Sequence, residues 1–206
     1  INIRVFNDLQ HTITGWPGGK PDADDSTRPE RAMPYPKRVL VFSPHPDDDV
    51  ISMGGTLARL SEQGHEVHLA YQTTGSIAVY DDDVIRFVDF ADQFRDIFSL
   101  EDVDTRGILR EVEKLMNDKK PGDADPDKIR RLKAAIRKGE AKSACRYIGI
   151  DESRIHFLEL PFYETGVVKK NPPTDKDTQI VAGLMNAIRP HQIYAAGDLS
   201  DPHGTH

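Results

Sequence analysis

The segment 39–60 places the tightest constraint on the fold of this chain. Its first four residues are all apolar, which predicts a strand that is buried on both faces. Pro44 and Pro46 follow, and each proline disfavours helix at the residue before it. From Val50 onward, apolar residues recur at spacings of three and four, which predicts a helix. Gly64 is a common type of C-terminal cap and predicts that the helix ends there.

The rest of the pattern predicts an α/β fold built on this unit. Residues 65–72 form a second candidate strand, and a strand, a helix and a strand in close succession predict a parallel pair with a right-handed crossover. Further strands are predicted at 155–160 and 192–196, with a long helix before the first and a shorter one between the two. We therefore expect a Rossmann-like, three-layer α/β/α fold with a mostly parallel sheet and a helical insertion at about 81–120.

Prolines and glycines divide the chain into two parts. They are dense in residues 1–37, which predicts a linker or an extended arm, with a substrate-contacting arm as the alternative. Residues 38–206 are expected to form a single domain. Because the chain starts at Ile1 and stops at His206 directly after a polar loop, we expect a segment of a longer polypeptide whose domain is truncated at its C-terminus.

The composition argues against several classes of protein. A net charge of −7 disfavours binding to nucleic acid or to an anionic membrane surface. No apolar run approaches the roughly 20 residues that span a membrane. The single cysteine, Cys145, has no second cysteine to pair with, which is typical of a reducing compartment, and we expect a cytoplasmic protein. The glycine motifs of dinucleotide-binding and phosphate-binding loops are absent from the sequence.

Two loops carry side chains that suit a metal. His45 and the three aspartates 47–49 follow the first strand, at the carboxyl end where open α/β sheets bind ligands. The last loop, 197–206, also follows a strand, and it holds His203 and His206 three residues apart. Mixed imidazole and carboxylate ligands suit zinc, iron, manganese or cobalt better than magnesium. Three protein ligands with one open position are typical of a catalytic site.

Simpler interpretations of these loops stay open. The first loop would then only cap the helix that follows it, and the last would hold solvated histidines. The loop 73–76 leaves the second strand at the same sheet edge and is expected to wall the same crevice. The remaining histidines stand alone and are expected to be ordinary surface or packed residues; they include His65, His68, His156 and His191.

Two apolar stripes run along the helical insertion. The first is largely aromatic and is expected to lie in the core rather than to bind a ligand; it comprises Phe87, Phe90, Ala91, Phe94, Ile97 and Phe98. The second runs from Ile108 to Met116 at the same helical spacing. The acidic run 81–83 is expected to be charge at a helix N-terminus, with a second metal site as the alternative.

Parts of this sequence resemble a known family. The residues Pro44-His45-Pro46-Asp47-Asp48-Asp49, followed by Gly54-Gly55-Thr56-Leu57, resemble the signature of the LmbE-like, or PIG-L, family of zinc-dependent N-acetylglucosamine deacetylases. Residues 138–149 resemble the charged helix of that family, and 201–206 match its late His-x-x-His. More narrowly, the chain resembles the deacetylase-like half that is fused to glucosamine-6-phosphate deaminase in some bacteria.

The resemblance implies a metal-dependent hydrolase that removes an N-acetyl group from an N-acetylglucosamine-type substrate. The implied cofactor is Zn²⁺, with other divalent transition metals as alternatives, and the implied ligands are His45, Asp48 and His206. Asp47 would act as general base on a metal-bound water, and His203 would stabilise the oxyanion. Asp49 stands where the family more often has glutamate, which shortens a contact behind the ligands.

Two other functions stay open at this point. The domain is alternatively a non-catalytic sugar-binding or regulatory part of a glucosamine-6-phosphate deaminase fusion protein, or the activity is a deamination by an upstream domain of the same chain. A small amino sugar is the expected partner in each case. Basic side chains are candidate contacts to an anionic group on it, with ordinary solvated charge as the alternative; they are Arg137, Lys138, Lys142, Lys169 and Lys170.

Overall fold

Four strands form a parallel sheet at the centre of the protein. The computed structural model describes residues 35–100, 104–120, 122–167 and 169–196. Within them the strands are β1 Arg38–Ser43, β2 Glu66–Tyr71, β3 Ile155–Phe157 and β4 Gln192–Tyr194. They lie in the order β3-β2-β1-β4, and every pairing is parallel. The parallel strand–helix–strand unit predicted around β1 is confirmed.

Five α-helices accompany the sheet in the described part of the chain. They are α1 Asp48–Glu62, α2 Asp81–Ile97, α3 Thr105–Asn117, α4 Asp127–Ile148 and α5 Asp175–Ile188. Most of the arm predicted for residues 1–37 and the whole loop 197–206, with His203 and His206, lie outside the described residues. None of the described helices is both long and apolar enough to cross a membrane.

The sheet is covered by helices on both faces. On one face, alternate residues of β1 and β2 pack against α1 and α4; this cluster contains Val39, Val41, Leu57, Leu60, Val67, Leu69, Tyr71, Ala141 and Cys145. On the other face, Leu40 and Ala70 pack against Ile188 of α5. Each fully buried aliphatic side chain contributes about 1.5–3 kcal/mol to folding. The three-layer α/β/α architecture predicted from the apolar run of β1 is therefore confirmed.

The ends of the elements follow from backbone preferences. Gly64 and Gly149 follow α1 and α4 with φ of 79° and 85°, a conformation that glycine adopts without steric cost. β3 and β4 are shorter than the predicted strands 155–160 and 192–196. In the first case Glu159 has a φ of 46°, which takes the chain out of the extended conformation.

The helical insertion is present, but its aromatic stripe is not in the core. Val84 and Val88 of α2 pack with Val112 of α3 and Ile129 of α4. The aromatic residues lie on another face of α2 and are 44–61% exposed; they are Phe87, Phe90, Phe94 and Phe98. The prediction that this stripe is buried is therefore wrong. Only the valine edge of this apolar surface is buried against α3 and α4, and the aromatic side chains beside it stay exposed.

Two lysines and two aspartates tie the insertion to α4. Lys133 lies 2.7 Å from Asp81 and 2.9 Å from Asp125, and Lys119 lies 2.8 Å from each of the same aspartates. Burial alone would raise the pKa of Asp81, but hydrogen bonds from Lys119 and Lys133 outweigh it and hold that pKa below its usual value. The acidic run 81–83 lies in the first turn of α2, as expected for charge at a helix N-terminus.

We predict that Lys133→Met lowers the free energy of unfolding at neutral pH by about 2 kcal/mol, because it leaves two carboxylates short of a buried partner. Urea unfolding measures this loss. Because the pKa of Asp81 is lower in the folded than in the unfolded protein, its ion pairs stabilise the fold at pH values above the unfolded pKa. This stabilisation is lost as the pH falls through the folded pKa. The difference between the two proteins should therefore shrink in acid. Lys128→Met breaks only the exposed pair with Glu111 and should cost less than about 1 kcal/mol.

Candidate active site

His45 and Asp48 face each other just beyond the end of β1. Asp48 Oδ2 accepts a hydrogen bond from the backbone N–H of His45 at 2.8 Å and lies 3.0 Å from His45 Nδ1. The Ser43 hydroxyl donates to the carbonyl oxygen of His45 at 2.6 Å. The backbone of the loop thus places an imidazole nitrogen and a carboxylate oxygen side by side.

Asp47 points elsewhere and pairs with an arginine of α4. It occupies the N-cap position of α1, but its side chain makes no capping hydrogen bond. Instead, Asp47 Oδ2 lies 2.8 Å from Arg137 Nη2, which also donates to the carbonyl oxygen of Pro46 at 3.1 Å. The interpretation that this aspartate merely caps the helix is not supported by these contacts.

The loop after β2 packs directly against the His45 loop, as predicted for residues 73–76. The amide and the hydroxyl of Thr73 both donate to the carbonyl oxygen of Pro44, at 3.1 and 2.8 Å. Gly75 has a φ of 63°, and a Cβ on it would lie 3.0 Å from Pro46 Cδ and 3.3 Å from Arg137 Nε. Glycine is therefore required for the two loops to approach this closely.

These loops and α4 enclose a cavity of about 350 Å³. Its lining includes His45, Asp47 and Asp48 from the first loop, Gly75 from the second, and Arg137 and Tyr163. The Tyr163 ring stands nearly edge-on to the His45 ring, with centroids 5.6 Å apart. Burial, with a smaller effect of the nearby Glu164, raises the pKa of Tyr163 to about 12, so its hydroxyl is a neutral hydrogen-bonding group at physiological pH.

Asp49 is buried behind the cavity and anchors the first turn of α1. It accepts a hydrogen bond from the Tyr71 hydroxyl at 2.9 Å, and its own amide donates to Ser43 Oγ at 3.0 Å. Burial raises the pKa of Asp49, although the bonds from Tyr71 and Ser43 lower it in part. Burial likewise raises the pKa of the Cys145 thiol, which lies 3.5 Å from the Tyr71 hydroxyl. The resemblance implied a contact of Asp49 behind the predicted ligands, and Asp49 makes one to the Tyr71 hydroxyl.

The other two predicted site residues, His203 and His206, lie outside the described residues. The last described residues before them lie beside Asp48. β4 pairs with β1 in parallel, with Tyr194 opposite Val41. Ala195 and Ala196, which follow β4, line the same depression as Asp48 and Asp49. That His203 and His206 lie at the same site as His45 and Asp48 stays a prediction.

The described donor atoms, an imidazole nitrogen and a carboxylate oxygen, are of the chemical kind that zinc and similar metals bind. Two ligand atoms on tetrahedral zinc, at bond lengths of about 2.0–2.2 Å, lie roughly 3.3–3.6 Å apart. His45 Nδ1 and Asp48 Oδ2 are 3.0 Å apart, which is a hydrogen-bonding distance and somewhat shorter than that separation. Within the described residues there is no cluster of three or more His, Cys, Asp or Glu side chains that could hold a metal. The assignment of His45 and Asp48 as metal ligands stays a prediction.

The histidines expected to be ordinary are held in packed structural contacts. His65 Nδ1 accepts from the backbone of Lys37 at 3.0 Å, and His191 Nδ1 accepts from the backbone of Arg38 at 2.9 Å. His68 lies between Glu66 and His156, at 2.9 and 3.1 Å.

The candidate anion contacts divide by position. Arg137 lines the cavity, and Lys170 lies 5.6 Å from the ring centre of Tyr163. Lys138 pairs with Glu159, and Lys142 pairs with Glu152.

Two residues near the candidate site, Tyr71 and Tyr163, were not predicted from the sequence. A tyrosine within an apolar strand is the available signal for Tyr71, because a buried hydroxyl needs a partner.

Residues 40–206 match the family described as PIG-L: GlcNAc-PI de-N-acetylase. The chain belongs to the PIG-L family. The resemblance of the Pro44–Asp49 motif to this family is thereby confirmed.

Relatives of this PIG-L domain carry two kinds of name. A glucosamine-6-phosphate deaminase-like protein of Bacteroides thetaiotaomicron is 59% identical over 207 residues, which are 100% of this chain and 31% of that protein. The chain thus spans about a third of the length of that relative. A diacetylchitobiose deacetylase of Thermococcus kodakarensis is 42% identical over 48 residues, 23% of this chain and 18% of that protein.

A solved structure is also similar. It is the N,N'-diacetylchitobiose deacetylase of Pyrococcus horikoshii in complex with its inhibitor, at a TM-score of 0.49 and 20% sequence identity. The similarity covers 100% of this chain and 54% of that chain.

We predict that Tyr71→Phe destabilises the domain by about 2 kcal/mol, because the variant removes a hydrogen bond to a buried carboxylate. Chemical denaturation, followed by circular dichroism, measures the change. Tyr147→Phe removes the same hydroxyl from a residue that is 94% exposed and should stay within about 0.5 kcal/mol of the parent. Equal stabilities for the two variants would show that the Asp49–Tyr71 bond contributes nothing.

Proposed function

We propose that this domain is a metal-dependent N-deacetylase that hydrolyses the acetamide of an N-acetylglucosamine-type sugar. The observation that carries the proposal is the arrangement of the first loop. His45 and Asp48 present adjacent donor atoms, while Asp47 is turned away from them toward Arg137 and the cavity. A helix cap needs neither the imidazole nor the second carboxylate. Membership of the PIG-L family supports the reaction class.

The proposed ligands are His45, Asp48 and His206, and Zn²⁺ is the proposed ion. When bound, such an ion supplies a Lewis acid that polarises the amide carbonyl and makes a water molecule more acidic. An amide is a poor electrophile, so its hydrolysis requires this activation or an equivalent one. The Cys145 thiol is not an evident substitute as a nucleophile, because it is buried and its raised pKa keeps it protonated.

Asp47 is the proposed general base. Its carboxylate lines the cavity and is 44% exposed, so a water molecule and a substrate amide have access to it. It would take a proton from the attacking water and return one to the departing amine, which is the transfer that a single carboxylate performs in both directions. Arg137 fixes the direction of this carboxylate through the 2.8 Å contact. We propose His203 as the donor to the oxyanion.

The size of the cavity agrees with a sugar substrate. At about 350 Å³ among the described residues, it lies at the lower end of small-molecule sites and is large enough for one sugar unit. Relatives bear the names diacetylchitobiose deacetylase and glucosamine-6-phosphate deaminase-like protein, and both concern amino sugars. An amino sugar that carries an N-acetyl group is therefore the proposed substrate class.

Release of acetate from N-acetylglucosamine and its short oligosaccharides, with zinc added to metal-stripped protein, tests the proposal. Zinc-dependent turnover that Asp48→Asn abolishes would support it. Tight zinc binding without any turnover would instead favour a non-catalytic sugar-binding or regulatory domain of a longer protein.

We predict that Asp47→Asn lowers kcat by about 10²–10⁴-fold, the usual contribution of a general base, while the protein still folds and binds zinc. Steady-state acetate release gives kcat, and metal analysis of the dialysed protein gives zinc content. Loss of zinc from this variant would make Asp47 a ligand and overturn its assignment as the base.

Arg137→Met is predicted to lower kcat by about 10-fold or more with little change in fold, because Asp47 then loses the contact that orients it. Lys142→Met removes a charge from the same helix at the exposed pair with Glu152 and should leave kcat unchanged. Equal rates for both variants would show that the Arg137–Asp47 pair has no part in the reaction.

A further inference from the structure

An exposed apolar surface runs along α2, away from the cavity. Phe87, Phe90, Phe94, Ile97 and Phe98 are 44–74% exposed, and three of the rings contact one another in sequence along the helix, with centroids 6.2 and 4.5 Å apart. We call these five residues the aromatic ridge. Solvent-exposed residues of this kind normally occur singly, so a continuous row of them marks a contact surface.

A groove lies directly beside the aromatic ridge, between α2 and α4. It has a volume of about 690 Å³, and its walls are mostly apolar. Phe87 belongs both to the ridge and to the groove wall, and the opposite wall is formed by Leu132, Ala135 and Ile136 of α4. Ile108 of α3, which is 45% exposed, also lines the groove. Ridge and groove are therefore two halves of one surface.

We propose that this surface binds a second copy of the same chain. A two-fold interface uses the same patch on both partners, so the patch must be complementary to itself. A ridge beside a groove meets that condition when the two-fold axis runs between them. The part of the ridge at Phe87 and Phe90, which is level with the groove-lining Val88 and Ala91, then faces the groove of the other copy.

The size of the surface agrees with this occupant. The ridge and Ile108 together expose roughly 650 Å² of apolar side chain, if each fully exposed side chain presents about 200 Å². A stable complex buries about 800 Å² on each partner, and the groove walls supply the remainder. Most single chains have no apolar patch larger than about 300–600 Å².

The distribution of charge also favours an apolar contact. The exposed acidic residues Asp82, Asp89 and Asp96 repeat every seven residues along α2 and so lie on a separate line of the helix from the ridge. Glu140, which lines the groove, is bonded to Arg137 at 2.9 Å. The groove and the proposed active-site cavity share no lining residue, so the dimer contact would leave that cavity uncovered.

Sedimentation velocity of the 206-residue chain tests the proposal. The parent is expected to be a dimer, and Phe90→Glu is expected to weaken dimerisation by about 30-fold or more, the effect of losing one central interface residue. Ile51→Glu is the matched control, since Ile51 is a 77% exposed apolar residue on α1 and should leave the dimer intact. Circular dichroism shows whether each variant is folded.

Site-directed cross-linking locates the contact independently. The native thiol, Cys145, is fully buried, so a cysteine introduced on the surface is selectively modified. Phe94→Cys should form a covalent dimer with a short bifunctional maleimide, and Ile51→Cys should not. A parent chain that stays monomeric at high concentration, or a dimer that Phe90→Glu leaves unchanged, would overturn the proposal; the first result would assign the surface to another part of a longer polypeptide.

Discussion

The hydrogen bond between the Tyr71 hydroxyl and the Asp49 carboxylate is the contact on which the candidate site depends. It joins the end of β2 to the first turn of α1 inside the protein, where a carboxylate without a donor would be costly. The amide of Asp49 donates in turn to Ser43 at the end of β1. The preceding residue, Asp48, is therefore fixed by its neighbour in the chain, and its carboxylate meets His45 without having to supply the anchoring itself.

Three successive carboxylates in one loop thus have three different surroundings. Asp49 is buried and bonded to a phenol, Asp48 is beside an imidazole, and Asp47 is half-exposed beside a guanidinium. Successive side chains at the start of a helix point about 100° apart, so Asp49 is directed to the interior while Asp48 faces His45. Asp47, at the N-cap position, is directed to Arg137. This separation allows one short motif to serve structure, metal binding and proton transfer in the proposed mechanism.

The sequence predicted those features that depend on local pattern. Local sequence specifies the conformation of the apolar run of β1, of the prolines around His45 and of the regularly spaced apolar residues of α1. The predictions of this strand–loop–helix unit, and of the loop at the carboxyl ends of the strands, were therefore correct. The pairing of Asp47 with Arg137 spans ninety residues, and nothing in either segment indicates the other. The aromatic residues of α2 were misplaced for a related reason: an apolar stripe shows that a surface avoids water but does not identify what covers it.

Helix α4 connects the helical insertion to the candidate site. α4 packs against the sheet through Ala141 and Cys145 and against the insertion through Ile129, so a single helix carries the contacts of both. Arg137 lies between those positions and is bonded to Asp47 on one side and to Glu140, at the groove, on the other. A shift of α4 relative to the sheet would therefore move the partner of the proposed base together with one wall of the groove. Because α4 is held at its first turns by the Lys133 ion pairs and further along by the sheet, such a shift is resisted at both ends, which keeps Arg137 in place beside Asp47.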